Sequence, residues 1–187
     1  IDDSLIAEAV LDGAGVPTLT RVANGVVGQD ADLYGKYNFD VEKANKLLDE
    51  AGYPRGEDGI RFTLGLEGPN GRYTMDSDVC QAVASMLMEN VGIQVDLQLY
   101  DSTTYVNILS PREFKDAAMY CFGDNFFDGI YAIACYTPDF SMGETDYNNP
   151  RMNELYSSAM ANMNLEERVA QIEEAQQIAA EEVPSSN

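Results

Sequence analysis

Apolar residues along this chain recur mostly at helical spacing, interrupted by short alternating or continuous runs, so helices and strands interleave. The most fully punctuated stretch is Val41 to Ala51. Asp40 can cap it by accepting from an orphan backbone N–H. Ala44, Leu47, Leu48 and Ala51 make an apolar stripe, Gly52 suits a left-handed C-terminal position, and Pro54 blocks continuation. A shorter helix over Ser4 to Leu11 carries Leu5, Ile6, Ala9 and Val10, and Gly13, Gly15 and Pro17 end it. Thr18 to Lys36 is irregular and glycine-dotted, as a surface connection would be.

Arg61 to Leu66 alternates as a strand, followed by a loop at Gly68-Pro69-Asn70-Gly71. Asp76 or Ser77 can cap a helix through Asn90, which Gly92 ends, and Ile93 to Leu99 alternates again. Strand, helix and strand in that order predict a βαβ unit with parallel strands. Ser102 to Leu109 reads as a short helix with Tyr105, Ile108 and Leu109 toward the sheet. Asp116 to Phe122 predicts a third, short and buried strand, because Ala117, Ala118, Met119 and Tyr120 form a continuous apolar run. Pro150 opens a helix whose buried face should hold Met152, Leu155, Tyr156, Ala159, Met160 and Met163. Asn164 caps a last helix reaching toward Pro184. The fold class is therefore α/β, a mixed sheet with a βαβ unit flanked by helices.

Charge narrows the function. Eleven basic against 32 acidic residues leave a net charge of −21, which repels phosphate backbones and anionic lipid. No nucleic-acid partner is expected. The chain has no histidine, so the commonest general base and metal ligand is missing and an enzyme is not expected. Cys80, Cys121 and Cys135 show no metal-ligand spacing. Cys80 fits a buried apolar position, and Cys121 and Cys135 could pair across a loop. No apolar run approaches the roughly 20 residues a membrane span needs, and neither metal nor cofactor is called for.

Ligands of open α/β sheets bind outside the carboxyl ends of the strands. Asp124 follows the third predicted strand, with Phe122, Gly123 and Phe126 around it. A carboxylate among aromatic rings can receive a ligand ammonium group. An Asx turn is the plainer reading of the same aspartate. Tyr131, Tyr136 and Phe140 could line a cleft or fill a core.

The pattern Tyr37-x-x-Asp40-x-x-x-Ala44-x-x-Leu47-Leu48-x-Glu50-Ala51-Gly52-Tyr53-Pro54 resembles the signature helix of the family 5 extracellular solute-binding proteins. These are the oligopeptide-, dipeptide- and nickel-binding receptors of ABC importers. The opening helix with Asp12-Gly13-x-Gly15-x-Pro17, and the run Val91-Gly92-Ile93-Gln94-Val95, resemble the same family. The resemblance implies a periplasmic-binding-protein-like lobe spanning residues 1–187, cut from a longer chain whose partner lobe and hinge lie elsewhere. In peptide-binding members a Trp-x-Ala-Asp-Tyr-x-x-Pro motif supplies an Asp that holds the peptide's α-amino group. Asp124 matches that Asp and Gly123 the small residue before it, while Cys121 stands for the tryptophan and Asn125 for the tyrosine. The implied ligand-binding residues are Asp124, Phe122, Asn125, Phe126 and Tyr120.

The implied function is capture of a solute, a small peptide first, with this chain as one wall of a closing cleft. The implied partners are ABC permease subunits in the membrane. The implied state is a monomer, periplasmic or extracellular, held at the membrane by its transporter or a lipid anchor. An α/β hydrolase-like enzyme domain and a non-transport surface interaction module are the alternatives.

Overall fold

The computed structural model describes residues 1–35, 39–109, 113–123, 126–138 and 147–183. The chain divides into two compact units, Ile1–Gly15 with Asn38–Cys121, and Val16–Tyr37 with Phe122–Asn187.

The first unit is built on a parallel sheet. Strand β1 (Phe62–Asn70) pairs with β2 (Ile93–Asp101) in register from Phe62↔Ile93 to Asn70↔Asp101. Helix α3 (Asp76–Met86) and a π-helical turn (Leu87–Val91) make the crossover between them, closed by Gly92 at φ 72°. Helix α4 (Ser102–Leu109) then leads to β3 (Ala117–Ala118), which pairs with the other side of β1. The order is β2-β1-β3. The α/β class and the βαβ unit are as the pattern predicts. The described strands are all parallel, not mixed, because a helix crosses over between each strand and the next.

Two strand boundaries differ from expectation. β1 continues through Gly68, Pro69 and Asn70, where a loop was expected, because β2 offers a partner the whole way. β3 stops after Ala118 although the apolar run continues. Met119 N–H donates to Glu67 O at 2.9 Å, so the next ladder bond would run from the N–H of residue 69 to Met119 O. Residue 69 is proline and has no N–H. The hydroxyl of Tyr105, a fully buried residue on α4, donates to Met119 O instead. The missing donor faces β3, so pairing with β2 is undisturbed.

Helix α2 (Val41–Glu50) forms where predicted, with Lys43 N–H donating to the Asp40 carboxylate at 2.8 Å and Gly52 at φ 90°. Its expected apolar stripe is not buried, and Leu47 is 54% exposed. The helix is held by polar contacts. The Arg61 side chain, 2% exposed, donates from Nε to Val91 O at 2.8 Å and from Nη2 to Asn45 Oδ1 at 2.9 Å. Its Nη1 donates to the Asp49 carboxylate at 2.5 Å and to Tyr53 O. Helix α1 (Asp3–Ala9), capped by Asp2, buries Ile6 and Ala7 and exposes Leu5.

In the second unit, α5 (Ile130–Ala134), α6 (Pro150–Ala161) and α7 (Leu165–Glu182) enclose a core that includes Ile133, Met152, Leu155, Ile172 and Ala175. Asn149 and Asn164 cap α6 and α7. The sequence pattern did not separate α5 from its surroundings, since a single turn is too short to establish a period. Residues 18–35 are not a surface connection: Val22 and Val26 lie in this core. Gln176, buried on α7, fastens the segment by accepting from Thr20 Oγ1 at 2.8 Å and donating to Gly28 O at 2.6 Å. Met160 is exposed although it lies within α6, and Met163 is 97% exposed because α6 ends at Ala161 and Asn162 turns the chain with ψ 119°.

Candidate functional site

In the order β2-β1-β3 the chain leaves β1 toward one neighbour and returns on its other side. The carboxyl ends of β1 and β3 therefore flank a topological switch point, where crevices of open α/β sheets form. β1 gives way there to Gly71-Arg72-Tyr73-Thr74-Met75, and β3 to Met119 and Tyr120.

The loop after β1 is fixed by Asp76. That residue does not serve as the helix N-cap; Met75 occupies the cap position at φ 51° without a side-chain bond. The Asp76 carboxylate, 3% exposed, accepts from the N–H groups of Gly71 at 3.1 Å, Arg72 at 2.8 Å, Tyr73 at 2.9 Å and Ser77 at 2.8 Å. Burial alone would raise this carboxyl, but the donated bonds outweigh it and hold it below the usual carboxylate range. Arg72 projects from the fixed loop and is exposed. Its guanidinium carbon lies 5.2 Å from the Tyr73 ring centroid, Nε donates to Tyr73 Oη at 3.0 Å, and Nη1 donates to Ser102 Oγ at 3.3 Å. The sequence reading passed over Arg72, whose only signal is a cation just beyond a strand's carboxyl end.

Cys80 on α3 packs against Gly68, where an added Cβ would meet its Sγ at 2.5 Å. Burial pushes its thiol up to about 11, and burial also raises Cys121. Cys80, Cys121 and Cys135 form no disulfide, so the pairing of Cys121 with Cys135 does not occur. The raised Cys80 and Cys121 thiols are poor nucleophiles at neutral pH.

Of the residues expected to bind ligand, Tyr120 belongs to the first unit and is half-buried. Phe122 and Phe126 belong to the second and meet on one ring. Phe122 lies 5.0 Å from Tyr131, tilted by 36°, and Phe126 lies 4.9 Å from it, edge-on at 83°. Phe126 is 69% exposed and borders an open groove of about 380 Å3, with Ile130, Tyr131, Tyr156 and Met160 among its other walls. Tyr136 is a core residue. Asp128 also reaches the groove, but its carboxylate is taken up by Arg168 in two contacts of 2.9 Å and by the Ile130 N–H at 3.1 Å. Asp124, Asn125 and Phe140 lie outside the described residues. Among the described residues no group of three or more His, Cys, Asp or Glu is arranged for a metal ion. No helix among them is long and apolar enough to cross a membrane.

Residues 1–142 match the family described as bacterial extracellular solute-binding proteins, family 5 middle. The chain is 26% identical over 184 residues to the dipeptide-binding protein of Escherichia coli, covering 88% of this chain and 34% of that protein. It is 24% identical over 193 residues to heme-binding protein A of Haemophilus influenzae, covering 98% of this chain and 33% of the relative. The structure of the E. coli murein tripeptide binding protein MppA superposes with a TM-score of 0.82 at 25% identity, over 98% of this chain and 36% of that one. The chain thus spans about a third of the length of the relatives it matches. These are solute-binding proteins and not enzymes, in keeping with the expectation from the histidine-free sequence. The chain belongs to the bacterial extracellular solute-binding proteins of family 5.

Proposed function

We propose that this chain is part of the solute-receiving component of an ABC importer and that its solute is a short peptide. Family membership over residues 1–142 carries the reading. The parallel sheet with a switch point supports it, since that architecture offers a crevice without requiring catalytic groups. Two of the relatives compared above carry peptide names, a dipeptide receptor and a murein tripeptide receptor.

In this reading the Asp124 carboxylate holds the peptide's ammonium group, and Phe122, Asn125, Phe126 and Tyr120 give the ligand apolar and hydrogen-bonding surface. The chain is one wall of a clamp. A second lobe, supplied by the rest of a longer protein, closes over the solute and the loaded form delivers it to membrane permease subunits. The receptor works as a monomer on the outer side of the membrane, kept there by its transporter or a lipid anchor.

The test is thermal melting of the full-length protein against di- to hexapeptides, with and without Asp124→Ala. A ligand that binds only the folded state raises the melting temperature by mass action. Stabilisation by particular peptides that the substitution abolishes supports both the solute class and its anchor. A melt unmoved by every peptide removes the peptide assignment.

A further inference from the structure

We infer that Arg168 is a positioning residue for solute binding, holding the segment Phe126–Gly129 so that the Phe126 ring is set in place for the solute. The inference rests on the solute-binding reading above and uses residues of the second unit alone.

The segment is exposed and strained. It follows Asp124 and Asn125 in the sequence. Phe126 and Phe127 carry adjacent rings that are 69% and 73% exposed. Phe127 has φ 55°, a left-handed conformation that a bulky side chain adopts only when its surroundings impose it. The backbone on either side is tied to Val27, whose N–H donates to Phe127 O at 3.2 Å and whose carbonyl accepts from the Gly129 N–H at 2.8 Å. Two bonds to a single residue make a hinge line, and a contact off that line is needed to stop rotation about it.

Arg168 supplies that contact from α7. Its Nη1 and Nη2 donate to the two carboxylate oxygens of Asp128 at 2.9 Å each, and its Nε donates to Ala159 O on α6 at 3.0 Å. The same carboxylate accepts from the Ile130 N–H at 3.1 Å, at the start of α5. One ion pair therefore joins the segment to α5, α6 and α7. The pair is mostly buried, with the two side chains 16% and 29% exposed. At that depth desolvation offsets much of the attraction, so stability is a poor account of it. What a fork-to-fork pair adds beyond energy is a single orientation. That orientation matters on both sides of Asp128. Two residues before it stands Phe126, and three after it Tyr131, whose ring the Phe126 ring meets edge-on at 4.9 Å. A ring fixed in folding costs no further ordering when the solute binds.

The test is calorimetry with the dipeptide Ala-Phe on the full-length protein, well below the melting temperature, in the wild type, Arg168→Gln, Arg168→Lys and Leu155→Val. Apparent affinity falls with the fraction of molecules in the binding arrangement, so a segment correctly placed about a tenth of the time binds about tenfold more weakly. That loss is expected of Arg168→Gln. Arg168→Lys keeps the charge without the fork and should lose about threefold, and it carries the comparison should Arg168→Gln not fold. Leu155→Val, a core change on α6, should lower the melting temperature and leave affinity unchanged. Affinity unchanged in both Arg168 variants overturns the inference and leaves the peptide reading standing. So does equal weakening in Leu155→Val, which would make affinity follow stability alone. If Ala-Phe does not bind the wild type, the peptide reading is in difficulty and Arg168 is judged on the unliganded protein, with Phe and Tyr rings selectively protonated. A nuclear Overhauser contact between the Phe126 and Tyr131 rings that is present in the wild type and lost in the Arg168 variants supports the positioning role. A contact that persists in those variants, or is missing from the wild type, overturns it.

Discussion

Replacing Arg61 by alanine should be among the most damaging changes available in the first unit. The side chain is 2% exposed and ties α2 to the start of β2 through Val91 O, Asn45 Oδ1, Tyr53 O and the Asp49 carboxylate. Alanine removes the Arg61 donor from three uncharged acceptors, of which Asn45 Oδ1 keeps another, Arg55 Nη2 at 3.3 Å. A hydrogen bond to a charged group contributes about 1.5–3 kcal/mol, so three at the lower bound total about 4–5 kcal/mol. Tyr53 is exposed and water can replace part of its bond, which brings the expected loss to about 3–4 kcal/mol. The ion pair itself adds little, because Asp49 is 56% exposed and screened; Asp49→Ala should cost under about 1 kcal/mol. Lysine at position 61 keeps the charge but cannot reach Val91 O and Asn45 together, so it should recover less than half of the loss. Urea unfolding followed by far-ultraviolet circular dichroism gives the magnitude. Amide exchange in α2 and β2 assigns it to the first unit. A loss below about 1 kcal/mol for Arg61→Ala would refute the reasoning, since water would then substitute for the whole set of bonds.

Three further outcomes are expected. Asp76 has a folded value below its ordinary 3.8, so its stabilisation is complete above that range and disappears as pH falls through the folded value. Asp76→Asn should therefore be less stable than the wild type at pH 7, with the gap narrowing in acid melts below about pH 4; a constant gap contradicts this. Gly28→Ala places a Cβ 2.7 Å from Ile172 Cγ2 at a backbone φ of +84°, and should cost about 2 kcal/mol or more in a thermal melt. The 187-residue chain alone should bind peptide weakly or not detectably while staying folded, because one wall leaves most of the ligand in water. Nanomolar binding by calorimetry on that chain would contradict the clamp reading.

Much of the chain's organisation was legible because the signals are local. Asp40, Asn149 and Asn164 cap helices by accepting from N–H groups two or three residues away, and Gly52 and Gly92 end helical segments with their own positive φ. A side chain and a backbone group that close in sequence need no knowledge of the fold. The family signature around Tyr37 to Pro54 was readable for the same reason. The Asp124 segment was readable only through its resemblance to the family motif, and Arg72 not at all, because a switch point exists only once the strand order is known.

By itself, then, the sequence determined the helices with paired caps and stops, the βαβ order, the acidic character and the family. Tertiary structure decided the rest wherever the deciding partner is distant along the chain. Pro69 shortens β3 because it has no N–H to give to the carbonyl of Met119, fifty residues on, and Tyr105 is there to take the stranded carbonyl. Arg61 replaces an apolar stripe as the anchor of α2 because Val91 and Asn45 converge on it. Residues 18–35 became core, not connection, because Gln176 arrives from α7 to bind Thr20 and Gly28. Local chemistry fixes where elements begin and end; which polar groups they must satisfy is settled only when the chain brings their partners together.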